Sequence, residues 1–309
     1  MSIISAALRM SLAAIALSTA ARAEPAPSLG HKLQAYIECT NRLSGRAYEA
    51  RSRYLSWVGK SGPTGKERII YGTYTIYDTA DCKTGVEAAN ALEPHDTAVE
   101  AAGSAYVTAV TILEPLLKEA DDYYDQQNYK DDKMAKGRAL HPLLMTAWSA
   151  FEAADQNLRT SIDTLSDFVA ADELAAIEQR EGRSGRYHIQ ALMMKAKVLI
   201  RAESAGKTMN LAKIAEALDG YEAIVKATDQ YEQAHKDQGV GSSFVGTAKS
   251  YLTTAKALMR RVRDKVPYDT GEKMILSSPG GGWMVEGSPA RLTRDYNQLV
   301  DAYNRGAKF

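Results

Sequence analysis

The sequence predicts an all-α fold, an antiparallel bundle of long amphipathic helices. Three observations predict it. Apolar residues recur at steps of three and four through most of the chain. The interruptions are short, polar and rich in glycine or proline. Alternating β-branched and aromatic patterning is confined to one segment, Ile69 to Tyr77.

The elements follow in order. Residues 24–31, with two prolines and a glycine, read as a leader. Leu33, Tyr36, Ile37, Leu43, Tyr54, Leu55 and Val58 mark a first helix, and Gly59 to Gly65 breaks it. Residues 69–77 are expected as a short strand or hairpin, or as an irregular loop laid over the helices. A second helical stretch starts near Asp81 and is interrupted at Glu93-Pro94-His95. Ala98, Ala102, Ala105, Ala109, Ile112 and Leu116 form the expected buried stripe of the next, with Pro115 as a candidate kink. Tyr123 to Lys130 reads as a turn or helix end.

The longest pattern runs from about Asp131 to Arg180. It carries Leu144, Ala147, Phe151, Ala154, Leu158, Ile162, Leu165 and Val169 at near-heptad spacing. Glu181 to Arg186 breaks it, and Ser184 is placed to cap the following helix, marked by Tyr187, Ala191, Met194 and Val198. After a polar break at 204–210, Leu211, Ile214, Leu218, Tyr221, Val225 and Thr228 define a helix that ends by Gly239. Ser242 and Ser243 are expected N-caps for a helix with Val245, Ala248, Leu252, Ala255, Met259 and Val262. Pro267 ends it, and 267–288 is expected to be irregular. Ser288-Pro289 reads as N-cap and first helical position of a terminal helix with Leu292, Tyr296, Leu299 and Tyr303.

Residues 1–23 read as a signal peptide. Arg9 precedes the apolar run Met10 to Leu17, and Ala21-Arg22-Ala23 forms a cleavage site. The run is too short to span a bilayer, which needs about 20 residues. Cleavage near Ala23 predicts a periplasmic or secreted chain of 24–309, read as one helical-bundle domain without a transmembrane span. The whole sequence has 38 basic and 38 acidic residues, and loss of Arg9 and Arg22 takes the net charge from zero to −2. That balance argues against a general nucleic-acid binder. In an oxidising compartment the only two cysteines, Cys39 and Cys82, are expected to form a structural disulfide. Closing so long a loop stabilises by about 4 kcal/mol in the chain-entropy model.

Most catalytic patterns are missing. Glu232-Gln-Ala-His235 has the spacing of half a di-iron site, but the other four histidines have no glutamate three residues before them. The acidic cluster Asp121, Asp122, Asp125, Asp131 and Asp132 does not fit an EF-hand, and Asp131 and Asp132 suit a helix N-terminus. Gly206-Lys207-Thr208 lacks the upstream glycine of a phosphate loop, and no G-x-S-x-G occurs. Arg260, Arg261, Arg263 and Lys265 suit a helix C-terminus, with anionic lipid or polymer binding as the alternative. No catalytic residue, metal ligand or cofactor is expected.

The run Asp122 to Lys133, followed by Gly137 and Leu140-His141, resembles the YiiG-like family of exported bacterial proteins. So does the closing pattern from Gly287-Ser288 through Tyr296-Asn297 to Tyr303-Asn304. The resemblance covers about residues 32–304. It implies a domain of unknown function and carries over no activity and no functional residue.

Seventeen tyrosines against four phenylalanines set the remaining expectation. Tyrosines on the apolar stripes fit core-edge packing, while an aromatic-lined groove for a glycan or peptide is the functional alternative. The candidate ligand-binding residues are Trp283, Tyr123, Tyr124, Tyr129 and Tyr74, on the three irregular segments. The expected function is a non-enzymatic binding or scaffold protein of the cell envelope, whose partner is an envelope protein or glycan. The alternative is a metal-dependent or hydrolytic periplasmic enzyme with a site assembled from distant residues.

Overall fold

The computed structural model describes residues 29–204, 210–236, 240–278 and 280–306. The expected signal peptide and its cleavage site lie outside the described residues, as does most of the polar break at 204–210. The described chain is all-α. Its helices are α1 (Leu29–Leu55), α2 (Thr79–Asn90), α3 (Thr97–Asp125), α4 (Ala135–Glu181), α5 (Gly185–Ser204), α6 (Leu211–Ala234), α7 (Ser242–Arg263), α8 (Thr270–Ser277) and α9 (Pro289–Gly306). Among the described residues there is no strand, only an isolated bridge between Gly59 and Gly62. None of the described helices is long and apolar enough to cross a membrane. The chain forms two compact units, which divide within α4 after Phe151.

In the first unit, α1 buries Tyr36, Cys39, Leu43, Ala47, Ala50 and Tyr54 along one face. Val86 and Ala89 of α2, a long face of α3, and Leu144, Trp148 and Phe151 of α4 complete the core. Cys39 and Cys82 bring α1 and α2 together with their Cα atoms 5.0 Å apart, at disulfide distance. Lys32 is buried on α1. Its ammonium donates to the carbonyls of Leu92 (2.9 Å) and Pro94 (3.3 Å) and pairs with Glu100. Glu100 also accepts from the Asp96 amide and lies 2.9 Å from His95 Nδ1. Burial alone would raise the Glu100 carboxyl, but the bonds from Lys32, His95 and Asp96 outweigh it and hold it at about 2. Asp96 caps α3 by accepting from the Val99 amide at 2.9 Å.

The buried face of α3 differs from the expected stripe. It runs through Val99, Ala102, Gly103, Tyr106, Val107, Ala109, Val110, Leu113 and Leu117. Ala98, Ala105 and Ile112 point outward, and Ile112 is 55% exposed. Alanine is weakly hydrophobic, so the larger Val99, Tyr106, Val110 and Leu113 set which face turns inward. Segment 69–77 is the irregular loop rather than the hairpin, because its polar groups are taken by α1 and the turn after it. Thr73 Oγ1 donates to the Ala50 carbonyl (3.1 Å), and Trp57 Nε1 donates to Gly72 O (2.8 Å).

In the second unit, Ile189, Leu192 and Leu199 of α5 pack with Leu218, Tyr221 and Val225 of α6. Phe244, Tyr251 and Leu258 of α7 and Leu292 and Leu299 of α9 join the same core. Two buried tyrosines place their hydroxyls on backbone. Tyr221 donates to Ala248 O (3.2 Å) and Tyr251 to Ala196 O (3.4 Å). On α4, Leu158, Ile162 and Leu165 are buried as the heptad spacing requires. Ser288 caps α9, accepting from the Arg291 amide at 3.1 Å, with Pro289 at the first position.

Two expectations here are corrected. Ser242 lies inside α7, and neither Ser242 nor Ser243 caps it. Gly241, at φ +93°, occupies the cap position, and its amide is satisfied by Glu232 at 2.9 Å. Residues 267–288 are not irregular throughout. Asp269 and Glu272 form a reciprocal capping box that starts α8, and Gly282–Met284 makes a single 3-10 turn.

Candidate ligand-binding cleft

The first unit carries an open cleft of about 370 Å³ between the end of α1, the irregular segment and the end of α3. Arg53, in the last turn of α1, organises one wall. Its Nε donates to the Tyr71 carbonyl at 2.8 Å and its Nη1 to the Tyr74 hydroxyl at 3.0 Å. Arg46, two turns earlier on the same face, lies over the Tyr74 ring, 3.9 Å from its centroid. Arg46 also donates to the Thr75 carbonyl at 3.3 Å. Two arginines seven residues apart thus fix the path of 71–75 and leave Tyr71 46% exposed on the rim.

The opposite wall is Asp121, Tyr124 and Asp125 from α3, with Gln127 and Tyr129 from the turn after it. Burial, and after it the neighbouring Asp125 and Asp122, raise the Asp121 carboxyl above its usual range, while Arg46 and Arg53 oppose the rise. Gly72 sits at φ +68°, and a Cβ there would stand 3.2 Å from Tyr124 Cβ. Side chain and backbone therefore touch at the floor. Behind it, the Tyr124 ring packs with Trp57 (centroids 5.1 Å apart) and Tyr123 (5.0 Å). Burial, then Tyr54, push the Tyr124 hydroxyl far above the ordinary tyrosine range, so it stays protonated.

The structure brings together three of the five candidate residues. Tyr74, Tyr124 and Tyr129 line this cleft. Tyr123 is buried beside it, and its hydroxyl donates to Asp132 Oδ1 at 2.7 Å. Burial and that bond push Tyr123 up to about 12. Asp132 also accepts from the amides of Ala135 and Lys136, capping α4 as expected. Trp283 belongs to the second unit, where Arg294 lies over its ring, 4.0 Å from the centroid. The residue missed by sequence reasoning is Arg53. Its seven-residue spacing from Arg46, just before the tyrosine-rich segment, is the signal that would have found it.

Grooves between α2 and α3 (about 340 Å³) and between α6 and α7 (about 450 Å³) carry no aromatic lining. Glu232 and His235 are engaged locally. Glu232 accepts from Gly241, and the His235 ring stacks on Tyr231 with centroids 4.2 Å apart. Among the described residues, no group of three or more histidine, cysteine or acidic side chains is placed to hold a metal ion.

A family model described as a protein of unknown function (DUF3829) matches residues 28–305. The chain belongs to the DUF3829 family. A relative within reach of the same comparison is the uncharacterized protein YiiG of Escherichia coli (strain K12). It is 36% identical over 280 residues, which is 88% of this chain and 78% of that protein. No solved structure matches the chain.

Proposed function

We propose that this DUF3829 protein is an exported, non-enzymatic binding protein of the cell envelope, and that the cleft takes a glycan. The chain would be processed near Ala23 and act as a single 24–309 module in the periplasm. The observation that carries the reading is the cleft lining. Exposed and half-buried tyrosine faces alternate there with carboxylates, and the arginines beneath hold the tyrosines in place. Aromatic faces stack on the apolar side of a sugar ring, while carboxylates accept from its hydroxyls. Arg53 spends its donors on Tyr71 and Tyr74, so the cleft offers a shaped polar surface rather than a nucleophile with an adjacent base.

Isothermal titration of the full chain with soluble peptidoglycan disaccharide-peptides tests this. The expected result is saturable binding that Tyr71→Ala and Asp125→Asn each weaken about tenfold, or 1.4 kcal/mol. Both residues are exposed, so the fold survives either change. No binding by wild type, or equal binding by both variants, refutes the glycan reading. Turnover of the fragments would favour the enzyme instead.

A further inference from the structure

The second unit concentrates exposed apolar side chains in one short stretch. Of the fourteen large hydrophobic side chains exposed among the described residues, four fall between 266 and 284. They are Val266 (50%), Met274 (68%), Trp283 (42%) and Met284 (52%). Helix α8 buries none of its residues. Glu272, Ile275 and Leu276 are half-buried on the side tied to the protein, and Met274 is exposed. Glu272 accepts two bonds from Arg261, at 3.0 and 2.7 Å, and closes the capping box with Asp269. The 3-10 turn packs against α8. A Cβ on Gly281 would lie 2.7 Å from the Ile275 carbonyl, and one on Gly282 would lie 3.6 Å from the Leu276 side chain. Met274 and the Trp283-Met284 pair thus sit on two elements packed against each other, and all three are exposed.

The stretch that carries these side chains has an excess of basic residues. Residues 260–294 hold seven basic and four acidic side chains, a net +3 in a chain of zero net charge. Two of the acids are committed, Glu272 to Arg261 and Asp264 to Arg263. Arg260, Lys265, Lys273 and Arg294 remain exposed, and the Arg294 guanidinium lies over Trp283. Exposed methionine and tryptophan amid excess basic charge is the composition of an interfacial membrane contact. Apolar tips enter the acyl boundary, tryptophan sits at headgroup level, and cations meet lipid phosphates.

We infer that the Met274–Trp283–Met284 face docks this protein peripherally onto an anionic phospholipid surface. The occupant is lipid rather than protein because uncommitted lysines, Lys265 and Lys273, accompany the apolar side chains, and lysine is depleted at protein interfaces while it meets lipid phosphates.

Co-sedimentation of the full chain with vesicles tests the inference. Vesicles of phosphatidylcholine alone are compared with vesicles containing phosphatidylglycerol. The expected result is binding to the anionic vesicles only, weakened by added salt. Double substitution Met274→Ser/Met284→Ser, and separately Lys273→Glu/Arg294→Glu, should each lower the vesicle partition about tenfold with an unchanged melting temperature. Trp283 emission should shift to the blue on binding, and Trp283→Phe should abolish that shift. Equal affinity for neutral and anionic vesicles overturns the inference. So does anionic binding that both double variants retain. Concentration-dependent self-association lost in Met274→Ser/Met284→Ser, without vesicle binding, would also overturn it and assign the face to a second copy of the chain.

Discussion

Replacing Gly103 with alanine tests the closest approach between α1 and α3. An interior Gly→Ala change favours a helix by about 1 kcal/mol. Gly45 provides the reference. It lies inside α1 in the same unit, and a Cβ there meets nothing within 4 Å. Gly45→Ala should therefore stabilise by about 0.5–1 kcal/mol. At Gly103 the new Cβ would stand 2.6 and 2.8 Å from Tyr36 ring carbons and 3.2 Å from Val86 Cγ1. The Tyr36 ring has no room to retreat. It is fully buried, and its hydroxyl is anchored on Asn90 Oδ1 at 2.5 Å. Overpacking of this kind costs about 1–3 kcal/mol, and two contacts below 3.0 Å put it in the upper half. The net effect is a loss of about 1–2 kcal/mol, so the two variants should differ by about 2–3 kcal/mol. At about 4 °C per kcal/mol that is roughly 8–12 °C in melting temperature. Scanning calorimetry on the full chain with the disulfide intact reads it. The transition of the first unit is the one that moves when Cys39 and Cys82 are reduced. If Gly103→Ala melts at or above Gly45→Ala, the packing of Tyr36 against α3 is wrong as described.

Three further outcomes are expected. Glu100 is held at about 2 against an ordinary 4.5, so its contribution is present above pH 4.5 and lost as pH falls from there toward 2. That contribution is at most about 3 kcal/mol. Urea titrations across this window should show the loss, and Glu100→Gln should flatten it while costing about 3–5 kcal/mol at neutral pH by leaving Lys32 buried without its carboxylate. Double replacement Cys39→Ser/Cys82→Ser should destabilise by about 4 kcal/mol, and the oxidised wild type should be two hydrogens lighter than the reduced chain by mass spectrometry. Glu203 is buried, neither of its oxygens has a partner among the described residues, and burial raises it to about 8. The unfolded chain then ionises first, so stability should fall from pH 4.5 upward until about pH 8 and level off above. Glu203→Met should remove that slope and gain up to about 3 kcal/mol at pH 7, and an unchanged slope would place the titration elsewhere.

How far the fold was legible depends on what each residue contributes to the pattern. On α4 large side chains repeat at steps of three and four, and Leu144, Phe151, Leu158, Ile162 and Leu165 are buried as read. On α3 the alanine series 98, 102, 105 and 109 has the same spacing but little hydrophobic weight, so Ala102 and Ala109 are buried as read while Ala98 and Ala105 face solvent. Helix α8 was missed because its eight residues hold too few turns for periodicity to register. Its start was nevertheless written in Asp269 and Glu272, a capping box read by chemistry rather than by period. Segment 69–77 shows the opposite failure. Its alternation suited a strand, yet local pattern does not reveal which groups satisfy a backbone. Here Arg46, Arg53 and Trp57 do so from α1 and just beyond it.

The cleft was half legible for a related reason. Tyrosine count and loop position pointed to Tyr74, Tyr124 and Tyr129, but the same reasoning could not separate them from Tyr123, one residue from Tyr124 in sequence. The separation comes from the helix end. A rotation of about 100° along α3 places Tyr123 over Asp132 and the start of α4, while Tyr124 lies under Gly72. What decides between packing and lining is therefore which neighbour offers an acceptor. Asp132 takes the Tyr123 hydroxyl and closes that side. On the cleft side Arg46 and Arg53 meet the ring and oxygen of Tyr74, leaving the exposed Tyr71 ring and Asp125 as surface a ligand can reach. The basic residues on the buried side of a tyrosine-rich loop carry the information that its aromatic content alone does not.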